Sequence, residues 1–316
     1  MKGFHLIPQE TNLNFLGIRF ITFALSAILI VASIGIMTTR GLNLGIDFTG
    51  GTLVEVKTPE APDLGILRER LNNLGLGAIS IQEFGQPDDL LIRIPQQEEE
   101  TQGQGSEENK EAQKLVREVL DEKFEGQVDY RRTEFVGPQV GGELKKQGLY
   151  AIIFSLLGIM GYVWIRFEWQ FGVAALVALA HDTIITLGLF SLTQMQFDLS
   201  TVAALLMIAG YSINDTVVVF DRIRENLRKY KKMPLIELFN KTVNETLSRT
   251  TMTSVTTLLA LVALYVFGGE VIRGFILALI FGIVIGTYSS VFIAAPVLLY
   301  LGIRRGVKNV SASSSE

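Results

Sequence analysis

Asp215 is the side chain in this sequence that packing explains least. With Asn214 it lies in Gly210-Tyr-Ser-Ile-Asn-Asp-Thr-Val-Val-Val-Phe-Asp221, inside an apolar run that begins near Leu199. A run of about 20 mostly apolar residues can cross a bilayer. An ionisable group near a bilayer centre costs about 2.5–3.5 kcal/mol on insertion scales, and such groups are functional by default. A carboxyl group so placed is suited to binding and releasing protons. Tyr211 and Ser212 stand four and three residues earlier, so all three side chains can meet on one helix surface. The plainer reading of Asp215 is a hydrogen-bonded acid that closes helix packing.

Two further charged residues belong with it. Arg249 precedes a later apolar run, with Thr253, Thr256 and Thr257 on the same helix face. A cation that pairs with Asp215 and then lets go would swing the affinity of the acid for protons. A basic anchor at the membrane interface reads equally well from the residues alone. Asp182 lies deep in another apolar run, sharing a face with Ala174, Ala178 and Thr186. Small residues mark close helix contact, so Asp182 faces protein. It either joins a proton relay or orients His181.

These residues need a membrane-embedded frame, and the composition supplies one. Nearly half of the 316 residues are hydrophobic and mean hydropathy is positive, which points to an integral membrane protein. The absence of cysteine excludes disulfides, iron–sulfur clusters and thiol chemistry. With only His5 and His181 as imidazoles, no zinc site and no cofactor are expected. The net charge of −4 suggests no nucleic-acid partner. No phosphate loop of the G-x-x-x-x-G-K-[ST] type occurs.

Six spans are predicted. The first, Leu16–Met37, reads as an uncleaved signal anchor following Lys2. The others are Gly148–Ile165, Phe171–Leu192, Leu199–Phe220, Met252–Phe267 and Gly274–Leu301, the last interrupted by Pro296. Basic residues after the fourth span (Arg222, Arg224, Arg228, Lys229, Lys231, Lys232, Lys241) and at the end (Arg304, Arg305, Lys308) predict both termini on the cytoplasmic side. The domain layout is thus residues 1–15 cytoplasmic, 16–37 spanning, 38–147 extracytoplasmic, 148–301 spanning and 302–316 a cytoplasmic tail. In the last span Gly274, Ala278, Gly282, Gly286, Ser290 and Ala294 form a small-residue packing stripe.

The acidic segment 38–147 reads as an α/β domain. Strands are predicted at Thr52–Lys57, Ala78–Phe84, Leu90–Ile94 and Gln127–Val136, with helices at Asp63–Leu74 and Lys110–Phe124. A turn is expected at Gln86–Asp89 and a solvated Gln/Glu-rich loop at Gln96–Asn109. The order β-α-β-β-α-β is the ferredoxin-like, split-βαβ pattern.

Gly45-Ile-Asp-Phe-Thr-Gly-Gly-Thr52 would by chemistry alone be a turn into a strand. It resembles the motif of the SecD/SecF family, membrane subunits accessory to the bacterial protein-export channel. His181-Asp182, Tyr211–Asn226 and Thr246–Ser254 resemble the SecF branch of that family, as does the layout of six spans with an outer domain after the first. The resemblance covers nearly the whole chain apart from the Gln/Glu-rich loop and the Ser-rich tail. It implies a non-enzymatic, proton-motive-force-driven role in late protein export, within the resistance–nodulation–division superfamily. Implied partners are SecD, the SecYEG channel, an unfolded preprotein and the lipid bilayer, in the bacterial inner membrane. By the family pattern Arg249 is the functional arginine that goes with Asp215, and the candidate proton relay is read as Asp215, Arg249, Asp182, Asn214 and Tyr211. The competing readings are a proton-coupled small-molecule exporter of the same superfamily and a passive scaffold for the channel.

Overall fold

A computed structural model describes residues 11–77, 79–95, 105–269 and 272–303. His5, Lys2, the basic residues Arg304, Arg305 and Lys308, the Ser-rich tail, and residues 96–104 of the expected Gln/Glu-rich loop lie outside the described residues. The chain divides into two units. One holds the described residues up to Leu42, then Ile152–Met195, then those from Ala203 onward. The other holds Asn43–Ala151 with Gln196–Val202.

Among the described residues, six helices are long and apolar enough to cross a membrane. They comprise α1 (Arg19–Arg40), α5 (Pro138–Arg166), α6 (Trp169–Thr193), α7 (Leu199–Lys229), α8 (Leu235–Phe267) and the last span, which starts as α9 (Arg273–Ser289). Several run well beyond their apolar stretches. Pro234 leads directly into α8, seventeen positions before the apolar run at Met252. That added length is amphipathic: Leu238, Phe239 and Val243 are buried against Phe171 of α6 and Val219, Phe220 and Ile223 of α7. Hydrophobic packing supplies there what the intrinsic helix preference of the mixed sequence does not. Helix α7 likewise continues to Lys229, closed inside by Asn226, whose amide donates to Thr242 at 2.9 Å.

Pro296 does not interrupt the last span. Proline removes an N–H and its ring crowds the carbonyl four residues back. A π turn at Ser290–Ala294 absorbs this, and the helix goes on as α10 (Ala295–Tyr300). Upstream, Ala278, Gly282 and Gly286 of the small-residue stripe are buried.

Small residues also set the α1–α6 crossing. Ala174, Ala175, Ala178 and Gly188 are buried on α6. A Cβ on Gly188 would stand 2.9 Å from Ser33 Cα of α1, so only glycine permits that approach. Helix α1 ends at Gly41, whose φ of 69° is left-handed, and the Ser191 hydroxyl donates to the Gly41 carbonyl at 2.7 Å. Ahead of α1, Asn240 and Asn244 of α8 accept from the backbone of Phe15 and Leu13.

The second unit is built on a four-stranded antiparallel sheet. Its elements run β1 (Gly51–Lys57), α3 (Leu64–Asn72), β2 (Ser80–Phe84), β3 (Gln86–Ile94), α4 (Gly105–Lys123) and β4 (Asp129–Val136), with strand order β2-β3-β1-β4. Asp63 caps α3 by accepting from Gly65 and Ile66. Val54, Val56, Leu90, Ile92 and Ile94 bury one sheet face against Leu67 and Leu71 of α3 and Val116 and Leu120 of α4. The β2–β3 turn is tighter than expected. It is made at Gly85, with φ of 91°, so Gln86–Asp89 belongs to β3, and Lys57 reaches Asp88 at 3.1 Å. Residues 105–109 are likewise helical, within α4.

The stretch Gly45–Thr52 forms a short helix, α2 (Ile46–Thr49), and then two glycines with φ of 72° and 114° at Gly50 and Gly51. Side-chain-bearing residues rarely adopt these values. Gly45 N–H donates to the Phe197 carbonyl at 2.7 Å, and Asp47 accepts from the Leu199 N–H that opens α7 at 2.9 Å. Both contacts lie inside the second unit, where the motif holds the segment Gln196–Val202.

Candidate proton-handling site

Helices α6, α7, α8 and α9 bring the candidate residues together. Asp182 and Asp215 are both nearly inaccessible, at 1% and 3% exposure, but their surroundings are opposite. Each Asp182 oxygen is engaged. Oδ1 meets His181 Nδ1 at 2.9 Å. Oδ2 accepts from Ser212 of α7 at 2.7 Å and from Ser289 of α9 at 2.8 Å.

The Oδ2 of Asp215, by contrast, is buried without a hydrogen bond. The polar side chains that face this carboxyl group are Ser254 and Thr253 of α8, and the charge that bears on it is that of Arg249. The hydroxyls of Thr216 and Thr250 are also buried and unbonded. Ser254 in turn meets Thr287 of α9 at 2.7 Å.

The structure places the side chains expected beside Asp215 in three different surroundings. Ser212 turns to Asp182 and does not serve Asp215. Tyr211 donates to Thr257 Oγ1 at 3.2 Å, joining α7 to α8. Asn214 is exposed. For Ser212 and Tyr211 the reason is common: a helix offers several directions within one turn, and the neighbouring helices decide which partner each side chain finds.

The hydroxylated face of α8 is also divided. Thr253 and Thr256 donate to carbonyls of their own helix, and Thr256 is exposed. Arg249 is exposed as well and makes no salt bridge among the described residues. The participants missed in the sequence are Ser254, Ser289 and two residues that meet His181, Ser26 at 3.2 Å and Tyr288 by ring stacking. Serine and tyrosine are ordinary in helices of this kind, so nothing but their packing marks these positions.

Comparison with known proteins decides the family. The model for "Protein export membrane protein SecD/SecF, C-terminal" matches residues 116–304, and that for the "SecD/SecF GG Motif" matches residues 35–58. The chain belongs to the SecD/SecF family. It is 46% identical over 306 residues to "Protein translocase subunit SecF" of Rickettsia felis, covering 96% of this chain and 97% of that protein. The SecF of Cereibacter sphaeroides is 47% identical over 307 residues, covering 95% and 93%.

Among solved structures, a Thermus SecDF described as a translocon-associated membrane protein superposes with a TM-score of 0.83 at 35% identity. The match covers 94% of this chain and 39% of the longer Thermus chain. The "Super-membrane-facing form" of SecDF gives a TM-score of 0.66 over 95% of this chain. A SecF-type chain with six apolar helices is a multi-pass membrane protein of the protein-export pathway and a transport component, not an enzyme. The exporter alternative is not favoured by these relatives.

Proposed function

We propose that this chain is the SecF-type half of a proton-driven export machine, with Asp215 as the group that gains and loses the proton. The carrying observation is the contrast between two buried acids. Asp182 has every oxygen engaged, whereas Asp215 Oδ2 has no hydrogen bond and lies in the field of Arg249. A buried polar atom left unpaired is costly. An acid that gains a proton there relieves that cost, and one that loses it draws on Arg249. Each state favours a different packing of α7 against α8, the two-state element that coupling requires.

The complementary half is SecD, a name carried by the SecDF relatives, which are longer chains in which this one matches 39%. The basic residues at the end of α7 and in the loop after it, Arg228, Lys229, Lys231 and Lys232, support a cytoplasmic position for both termini, in the inner membrane of a bacterial cell. The sheet unit is then an extracytoplasmic ferredoxin-like domain, its strand order β2-β3-β1-β4 being that of a split βαβ fold. Set beside the SecYEG channel, it holds or pulls an emerging unfolded preprotein as the proton moves inward. No cofactor takes part; the proton gradient is the energy source.

The test is Asp215→Asn in membrane vesicles carrying the complete export machinery. The expected result is loss of proton-dependent stimulation of export, with SecD co-purification unchanged. Export undiminished by that substitution overturns the proposal.

A further inference from the structure

The second buried acid carries a proton count that can be read from geometry. Tyr288 OH donates to the Thr22 carbonyl of α1 at 3.0 Å, and this uses its single proton. The contact between Ser26 Oγ and Tyr288 OH at 3.0 Å therefore takes its proton from Ser26. The contact between His181 Nε2 and Ser26 Oγ at 3.2 Å must then take its proton from Nε2. On the other side of the ring, Nδ1 meets Asp182 Oδ1 at 2.9 Å, and that contact also needs a proton, on one atom or the other. Both hydroxyls on Oδ2 donate to it.

One assignment of protons makes every contact at once. Nε2 bears a hydrogen, and one further proton lies between Nδ1 and Oδ1, so the His181–Asp182 pair is net neutral. Removing that proton would leave a net negative pair at 3% and 1% exposure, in surroundings where an uncompensated charge is expensive. The groups packed against the pair are hydroxyls: Ser26 of α1, Ser212 of α7, and Tyr288 and Ser289 of α9. The Tyr288 ring stacks on the imidazole, with centroids 6.0 Å apart and planes at 26°, which holds the ring plane.

We propose that His181 and Asp182 hold one proton between them at neutral pH and act as a positioning clasp for α7, not as the exchanging group. The clasp joins four helices. Through Ser212 it sets the rotation of α7 and so where Asp215, three residues on, stands against α8. The positioning role rests on the reading of Asp215 given above; the proton count does not.

Two measurements test it. His5→Gln leaves His181 the sole histidine, so NMR of the full chain labelled with ¹⁵N-histidine and carboxyl-¹³C-aspartate, in lipid bilayers, reports on one imidazole and, through the carboxyl carbon coupled to its Nδ1, on Asp182. At a pH of about 7, near the value at which a free imidazole is half protonated, the expected spectrum has a protonated Nε2. The expected partner signal is either a protonated Nδ1 beside an ionised Asp182 or a bare Nδ1 beside a protonated one. A neutral imidazole beside an ionised Asp182 overturns the proton count whatever becomes of Asp215.

The second measurement is the pH profile of proton-dependent export for Ser212→Ala and His181→Gln. The expected result is that coupling survives in both with its profile displaced, unlike Asp215→Asn. Abolished coupling in a correctly assembled His181→Gln complex would make the pair a carrier. An unmoved profile in Ser212→Ala, which retains the Ser289 bond, would make the pair merely structural. Either outcome overturns the clasp.

Discussion

The Tyr211 hydroxyl donates to Thr257 Oγ1 across 3.2 Å. Asp215 then faces Thr253 and Ser254 one turn further along α7 and one turn back along α8. The two helices run antiparallel, so each step forward on α7 is a step back on α8. Arg249 lies a further turn along this ladder, past Asp215. It makes no salt bridge with the acid among the described residues, and a small sliding of α8 along α7 would change the distance between them.

Tyr211→Phe removes the tie without disturbing the apolar packing of the ring. A neutral hydrogen bond is worth about 0.5–1.5 kcal/mol net. The expected outcome is a loss of that size in detergent-solubilised unfolding, together with a larger loss of proton-dependent export than the stability change explains. An export profile that simply follows stability would assign Tyr211 to packing alone.

Gly188→Ala drives a methyl group into Ser33 of α1, whose Cα lies 2.9 Å from the added Cβ. The neighbouring atoms include backbone, so α1 and α6 must move apart. Overpacking of this kind costs about 1–3 kcal/mol. The expected readout is a lowered unfolding midpoint, restored in part by Ser33→Gly in the same chain.

Gly51→Ala places a side chain on a residue with φ of 114°. Strain at such a position is worth about 1–3 kcal/mol. The expected outcome is faster proteolysis of the sheet unit in the full chain. The equivalent substitution at Gly35, in the middle of α1 with nothing within 4 Å of its Cβ, leaves the sheet unit's proteolysis rate unaltered.

In the sheet unit, Tyr130 donates to Asp121 Oδ1 at 3.0 Å, and its Oη lies 3.2 Å from the Arg117 carbonyl. Burial, and then the bond to Asp121, push its phenol above the ordinary tyrosine range. A group whose folded pKa is raised adds stability that is whole below the unfolded value, about 10, and is lost as pH rises through the folded one. Tyr130→Phe should thus cost about 1 kcal/mol at neutral pH. In a spectrophotometric titration of the folded chain, the variant should lack the phenol that ionises late. A titration curve unchanged at its alkaline end would contradict this.

Lys57 and Asp88 give the opposite sign. The hydrogen bond from Lys57 comes first among the influences that hold the Asp88 carboxyl below its usual range. Its contribution is present above the unfolded value, about 4, and is lost as pH falls through the lower folded one. Replacing Lys57 with Met should leave stability at neutral pH little altered, since exposed pairs contribute little. It should also raise the ionisation point of Asp88 in a carboxylate-resolved NMR titration.

Much of this protein follows from its sequence because a bilayer constrains a chain more simply than water does. Six apolar runs, two buried acids and a glycine pair that needs positive φ are local facts, legible from composition and spacing. So is the alternation of strands and helices in the sheet unit. What only the tertiary structure decided is the partner of each polar side chain. Asp182 and Asp215 look alike in sequence, each an acid in an apolar run with serine or threonine nearby. Their difference arises where α6, α7 and α9 converge: Ser212 and Ser289 arrive from other helices to complete Asp182, and no equivalent pair reaches Asp215 Oδ2. Helical periodicity tells which residues can share a face, but the direction a hydroxyl takes is set by the helix across from it. That depends on close approaches between residues distant in the chain, Gly188 against Ser33 and Gly286 against Ser212. Helix ends escaped the sequence for a related reason, since α8 begins at Leu235 because Phe239 and Val243 find α6 and α7 to pack against.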